Sequence, residues 1–225
     1  IARAATGKDK IAFCGYHGWH DWYLSSNLSD KNNLDEQLLS GLEPQGVPRG
    51  LKGTAFPFRY NALKELEDIV EKNNGEIAAI IMEVVRSVEP VKGFLEGVRK
   101  IASAIGAVLI FDEVTSGFRM NVGGAHLLYQ VEPDIAIFGK ALGNGYPISA
   151  IVGKRRYMNA AQDSFISSTF WTERIGFVAG LAVIEKMERC RIPEKLIEYG
   201  QMISRGLKKH AANTGIPLKL SGIKP

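Results

Sequence analysis

Three runs in this chain are apolar at nearly every position: IAAIIM (Ile77–Met82), AVLIF (Ala107–Phe111) and DIAIFG (Asp134–Gly139). Successive strand residues point to opposite faces, so a strand wetted on one side alternates polar and apolar side chains. Strands without that alternation are covered on both faces, as in a mostly parallel sheet between helical layers.

The intervening segments fit such a layered α/β fold. Ile1–Thr6 reads as helix with Gly7 as its stop, and KIAFC (Lys10–Cys14) as a short strand. Leu34–Arg59 is rich in Gly and Pro and reads as loop with one short helix. Asn61 is a candidate cap for a helix whose apolar face is Leu63, Leu66, Ile69 and Val70. Phe94–Ile105 has helical spacing at Leu95, Val98, Ile101 and Ile105, and Gly106 ends it. ISAIVG (Ile148–Gly153) is a further strand. Its link to the preceding strand has no room for a crossover helix, so the pair is expected to be antiparallel and the sheet mixed. Two amphipathic helices follow, near Thr172–Glu188 and Pro193–Ala212.

The 225 residues suit one large domain or two small ones, and 45% hydrophobic with 23% charged residues is ordinary for a globular protein. The net charge of +4 is spread along the chain, leaving no nucleic-acid footprint. No run approaches the roughly 20 apolar residues of a membrane span. Two cysteines, Cys14 and Cys190, are too few for a disulfide framework, so a reducing, cytoplasmic setting is expected. The chain lacks an initiator methionine and its last stretch, PLKLSGIKP, closes no element, which reads as a fragment.

Asp112 and Lys140 each end an apolar strand, twenty-eight residues apart, as in two strands joined by a crossover. Ligands of open α/β sheets collect at that edge. Taken singly, Asp112 also fits a helix cap or loop acid, and Lys140 a solvated charge. The apolar approach and the ALGNGYP exit lead us to expect an ammonium that is not freely exposed. A desolvated lysine can act as an amine nucleophile toward an aldehyde. An acid beside such a lysine suggests pyridoxal 5'-phosphate (PLP), whose ring nitrogen stays protonated against a carboxylate. His17 and His20 have a spacing seen in metal sites, but no Cys or further His accompanies them, and no metal is expected. Gly143–Gly145 is no P-loop, because Lys140 precedes the glycines.

Four motifs, GYHGWHDW, FDEVTSGFR, FGKALGNGYPISAIVG and SSTFWTERIGFVAG, resemble the class III PLP-dependent aminotransferases in their order. GFLEGVRKIASAIGAVLIFDEV and GGAHLLYQVEPDIAIFGKALGNGYP are most similar to the glutamate-1-semialdehyde aminomutase branch. The resemblance implies the large domain of PLP fold type I, a three-layer α/β/α unit with a mostly parallel mixed sheet. Residues 1–225 would be part of that domain, without its N-terminal phosphate loop and the C-terminal small domain.

It also implies roles. Lys140 is the lysine that joins the cofactor aldehyde and later moves a proton. Asp112 pairs with the ring nitrogen. Val114 packs on one ring face and Tyr16 stacks on the other, with His17 shaping the pocket. Thr169, with Ser168 beside it, reaches the cofactor phosphate of a partner subunit in a homodimer. Glu83 lies on the side of a small amino or keto substrate. Three places depart from the family pattern: Val84 stands for proline, Trp171–Glu173 replace a small-residue turn, and Thr115 stands where other branches carry glutamine or methionine. The alternatives are another class III aminotransferase acting on a sugar or ω-amino substrate, an inert fragment, or a non-catalytic metabolite-binding module.

Overall fold

The computed structural model describes residues 1–73 and 75–223. Lys224 and Pro225, the last residues of PLKLSGIKP, lie outside them. Six strands form one sheet in the order β2-β1-β3-β4-β5-β6. They are β1 (Lys10–Cys14), β2 (Ala55–Pro57), β3 (Ile77–Glu83), β4 (Val108–Asp112), β5 (Ile135–Phe138) and β6 (Ala150–Gly153). The first five are parallel to their neighbours, and β6 runs antiparallel to β5, with Ile135 opposite Gly153. The helices are α1 (Ala2–Thr6), α2 (Asp21–Leu24), α3 (Leu63–Lys72), α4 (Phe94–Ile105), α5 (His126–Tyr129), α6 (Arg155–Met158), α7 (Ile175–Cys190) and α8 (Ile192–Thr214).

All seven residues of β3 are buried, as expected for a central strand covered on both faces. Ile80 and Met82 face one side and pack with Leu66 of α3 and Phe94, Leu95 and Val98 of α4. Ala79 and Ile81 face the other, where Tyr23, Leu34 and residues of α1 and α6 cover the sheet. Each such aliphatic or aromatic side chain, once fully buried, contributes about 1.5–3 kcal/mol. Gly106 ends α4 in the left-handed conformation, φ 67°, where a Cβ would be strained.

Asp134, buried just before β5, ties the sheet together at the end opposite the carboxyl edge. It accepts from the Leu109 amide and from Arg99 (both 2.9 Å) and from Lys154 (3.1 Å). Burial by itself would raise this carboxyl, but those donors outweigh it and hold Asp134 below the usual range.

Several local readings need correction. Leu34–Arg59 is not all loop, because Ala55–Pro57 joins the sheet as an edge strand beside β1. Three residues ending in proline carry little strand signal, and an edge tolerates proline's missing N–H. Asn61 does not cap α3. Its φ is 66°, and its side chain bonds Glu89 O (3.1 Å) and Val91 N (2.9 Å), pinning the loop after β3. α7 starts at Ile175, not Thr172. The Glu173 carboxylate accepts from the Ile175 (2.5 Å) and Gly176 (3.2 Å) amides, leaving Thr172 outside the helix.

Candidate active site

The carboxyl ends of β3, β4 and β5 bring together Glu83, Asp112 and Lys140. Glu83 lies opposite Asp112 in the β3–β4 register, and Asp112 opposite Ile137 in the β4–β5 register, three residues before Lys140.

Asp112 is held on both oxygens. Oδ2 lies 2.8 Å from His17 Nδ1, and Oδ1 accepts from the Val114 amide at 3.1 Å. An ionised carboxylate only accepts, so His17 Nδ1 is the donor of this bond. His17 is buried, its Nε2 is 3.2 Å from the Cys14 carbonyl, and its ring stacks on Trp22 at 6.0 Å. The histidine expected only to shape a pocket is thus the brace of the acid.

The turn after Asp112 is organised by Glu113, which is fully buried. Its carboxylate accepts from the Ala125 and His126 amides (2.9 Å each), from His126 Nδ1 (2.8 Å) and from the Ser116 hydroxyl. Burial would raise Glu113, yet the bonds from His126 and Ser116 and the two amides bring it below the ordinary glutamate range. One carboxylate therefore closes the loop from Glu113 to His126. Nothing in the spacing of DEVTSGFRMNVGGAH marks this role, because both ends of the network are set by the folded turn.

Lys140 follows β5 with φ 43°, a left-handed conformation rare outside glycine and a recurrent mark of functional sites. The expectation that its ammonium is shielded is not met, because the residue is exposed. The strand ends two residues earlier, and the short turn Lys140–Leu142 lifts the lysine off the sheet edge. Its Nζ donates to Thr115 Oγ1 at 2.9 Å. Thr115 drew notice in the sequence only as a departure from a pattern, and its contact with the lysine was not foreseen.

Glu83 is buried and accepts from Arg86 Nη1 at 2.8 Å and from the Tyr16 amide at 3.4 Å. Burial pushes its carboxyl up, opposed by the charges of Arg86 and His17. Gly15 makes this approach possible. With φ 110°, a Cβ there would sit 2.7 Å from Glu83 Oε2. A cavity of about 160 Å³ opens beside the pair, lined by Gly15, Gln37, Tyr60, Glu83 and Arg86. Arg86 was not singled out from the sequence; a lone arginine three residues past a strand carries no distinctive signal.

Tyr16 is half-buried and meets Trp19 and Tyr23 edge-on, at 6.3 and 5.8 Å. Val114 lies against Gly139, whose Cβ position is 3.5 Å from Val114 Cγ1. Ser168 and Thr169 are exposed, and neither side chain hydrogen-bonds the residues around Asp112 or Lys140. The structure therefore assembles Tyr16, His17, Glu83, Asp112, Val114 and Lys140 at one sheet edge and leaves the Ser168–Thr169 pair outside that group. Among the described residues, no helix is long and apolar enough to cross a membrane.

Comparison with known proteins bears on the family and the fold. The chain is 38% identical over 229 residues to 3-aminobutyryl-CoA aminotransferase of Cloacimonas acidaminovorans, covering 99% of this chain and 51% of that protein. It is 35% identical over 227 residues to glutamate-1-semialdehyde 2,1-aminomutase of Citrifermentans bemidjiense, covering 97% and 52%. The chain thus spans about half the length of the curated relatives it matches. Among solved structures it is similar to FumI of Sphingopyxis sp. MTA144 in its PLP internal aldimine form. There the TM-score is 0.79 at 26% identity, over 95% of this chain and 50% of that one. The family model "Aminotransferase class-III" matches residues 2–219, and the chain belongs to the class III aminotransferase family.

Proposed function

We propose that residues 1–225 form part of the cofactor-binding large domain of an enzyme that moves amino groups with pyridoxal phosphate. One observation carries the reading: a carboxylate braced by His17 and a backbone-strained, accessible lysine occupy the ends of neighbouring parallel strands. The donor set fits two ends of the cofactor. A carboxylate held from behind suits a protonated ring nitrogen, and a primary amine suits an aldehyde. FumI, similar in fold, was solved with PLP. When bound, the pyridoxal ring supplies an electron sink for negative charge at the amine-bearing carbon of the substrate.

The chain's own residues divide the remaining work. Asp112 holds the ring-nitrogen end, and its contacts with His17 and the Val114 amide keep the carboxylate from turning away. Lys140 would hold the aldehyde end, and its amine, when free, would take and return a proton at the substrate carbon. Val114 and Tyr16 supply an apolar and an aromatic face. Glu83, with Arg86, stands on the substrate side. Ser168 and Thr169, exposed and apart from their own site, serve the phosphate of a partner subunit in a homodimer. The exposed Phe177, Val178 and Leu181 of α7 are surface that a second subunit can cover. Two free thiols, Cys14 and Cys190, accord with action in the cytoplasm.

The substrate is a small amino or keto compound, and the GFLEGVRK and GGAHLLYQ segments favour a glutamate-1-semialdehyde-type rearrangement. The 38% identity to 3-aminobutyryl-CoA aminotransferase favours a second reading, transfer from an amine on a β-carbon. The test uses the full-length protein loaded with PLP, reduced with borohydride and mapped by peptide. Label on Lys140 is expected, and label on another lysine instead overturns the assignment. Turnover of glutamate-1-semialdehyde against a panel of β- and ω-amino donors then separates the two substrates.

A further inference from the structure

Among the described residues, Thr115 is the side chain that holds the Lys140 amine, with Nζ donating to Oγ1 at 2.9 Å. Lys140 is exposed and makes no ion pair within the described residues. The adjacent hydroxyl turns the other way, because Ser116 is buried and donates to Glu113. The turn thus splits two neighbouring hydroxyls between two tasks. Ser116 serves the scaffold, and Thr115 faces the lysine.

The placement is specific. Thr115 lies three residues beyond Asp112, and Lys140 three beyond Ile137, the register partner of Asp112. The hydroxyl therefore bridges β4 and β5 just past the point where the acid sits. A lysine stem has four carbons and many rotamers, few of which bring its nitrogen to one chosen point. The left-handed backbone at Lys140 sets the stem's root, and the Thr115 hydroxyl sets its tip. A hydroxyl can accept from an ammonium or donate to a neutral amine, so the hold survives either protonation state.

We propose that Thr115 is a positioning residue for Lys140, keeping the amine at the β4–β5 edge where it meets the aldehyde of a cofactor anchored at Asp112. This rests on the PLP reading above. In the step it assists, the amine nitrogen attacks the aldehyde carbon and a C=N bond replaces C=O. The carbonyl oxygen leaves as water with the two amine hydrogens.

The experiment compares the full-length protein, stripped of cofactor, with its Thr115→Val and Thr115→Ser variants. Capture of PLP on Lys140 is timed by borohydride quench and peptide mass spectrometry. Acetylation of Lys140 by acetic anhydride, which needs access but no orientation, is timed in parallel. Valine keeps the branched shape and removes the hydroxyl. We expect Thr115→Val to slow capture about 10-fold or more while acetylation stays within about 2-fold, and Thr115→Ser to restore capture. Capture by Thr115→Val at the unaltered rate overturns the proposal. So does an equal fall in acetylation, or failure of serine to rescue, since each points to a general disturbance of the turn. If the unaltered protein places no PLP on Lys140, the cofactor assignment itself falls, and the role of Thr115 with it.

Discussion

His17 and Asp112 are ninety-five residues apart in the chain and 2.8 Å apart in the fold, Nδ1 to Oδ2. The buried imidazole fixes where the carboxylate points, so its removal should misplace the acid without removing it. His17→Ala is expected to lower kcat/KM of the full-length enzyme about 10- to 100-fold and to weaken PLP retention. Unchanged kinetics would reduce His17 to a packing residue.

Lys140 is exposed, so its loss should be felt in chemistry and not in stability. Lys140→Ala is expected to abolish the borohydride label and to lower turnover by about 10³-fold or more. Its unfolding free energy should stay within about 0.5 kcal/mol of the parent, as for other surface substitutions. Undiminished turnover in this variant would remove Lys140 from the catalytic machinery.

Glu113 is the reverse case, buried and remote from solvent exchange. Glu113→Ala strands the Ala125 and His126 amides and the Ser116 hydroxyl, and is expected to cost about 3–5 kcal/mol in urea unfolding.

The acid limb follows from the sign of the shifts. Glu113 and Asp134 are both held below their ordinary values in the fold. As pH falls, the unfolded chain takes up these protons first, near pH 4. Their contribution is complete above that pH and is lost as pH drops through the lower folded values. Unfolding stability measured between about pH 5 and 2 should fall steeply in the parent and less steeply in Glu113→Gln and Asp134→Asn.

Gly15 combines φ 110° with a Cβ position 2.7 Å from Glu83 Oε2. Gly15→Ala is expected to destabilise by about 1–3 kcal/mol and to disturb the Glu83–Arg86 pair. Melting temperature reports the first effect. The second appears as a change in KM for a charged amino substrate that exceeds the change in kcat.

Much of the sheet was legible. The uninterrupted apolar runs announced strands covered on both faces, and the short link after β5 announced the antiparallel β6. These features are local: hydrophobic period and link length decide them before any distant contact forms. β2 escaped because an edge strand of three residues buries too little to leave a pattern. Asn61 and Thr172 misled because a cap is decided by which donors the folded loops present, and those come from Glu89–Val91 and Glu173.

By itself, the sequence determined that Asp112 ends one apolar strand, that Lys140 lies just past another, and that the class III motifs stand in order. Only the tertiary structure decided what holds them. The His17 brace, the Thr115 contact, the Glu83–Arg86 pair and the exposure of Lys140 all depend on where separate loops meet at one sheet edge. A hydrogen bond needs its partners within about 3 Å, and the spacing of residues along a chain carries no such distance until the strands between them have found their register.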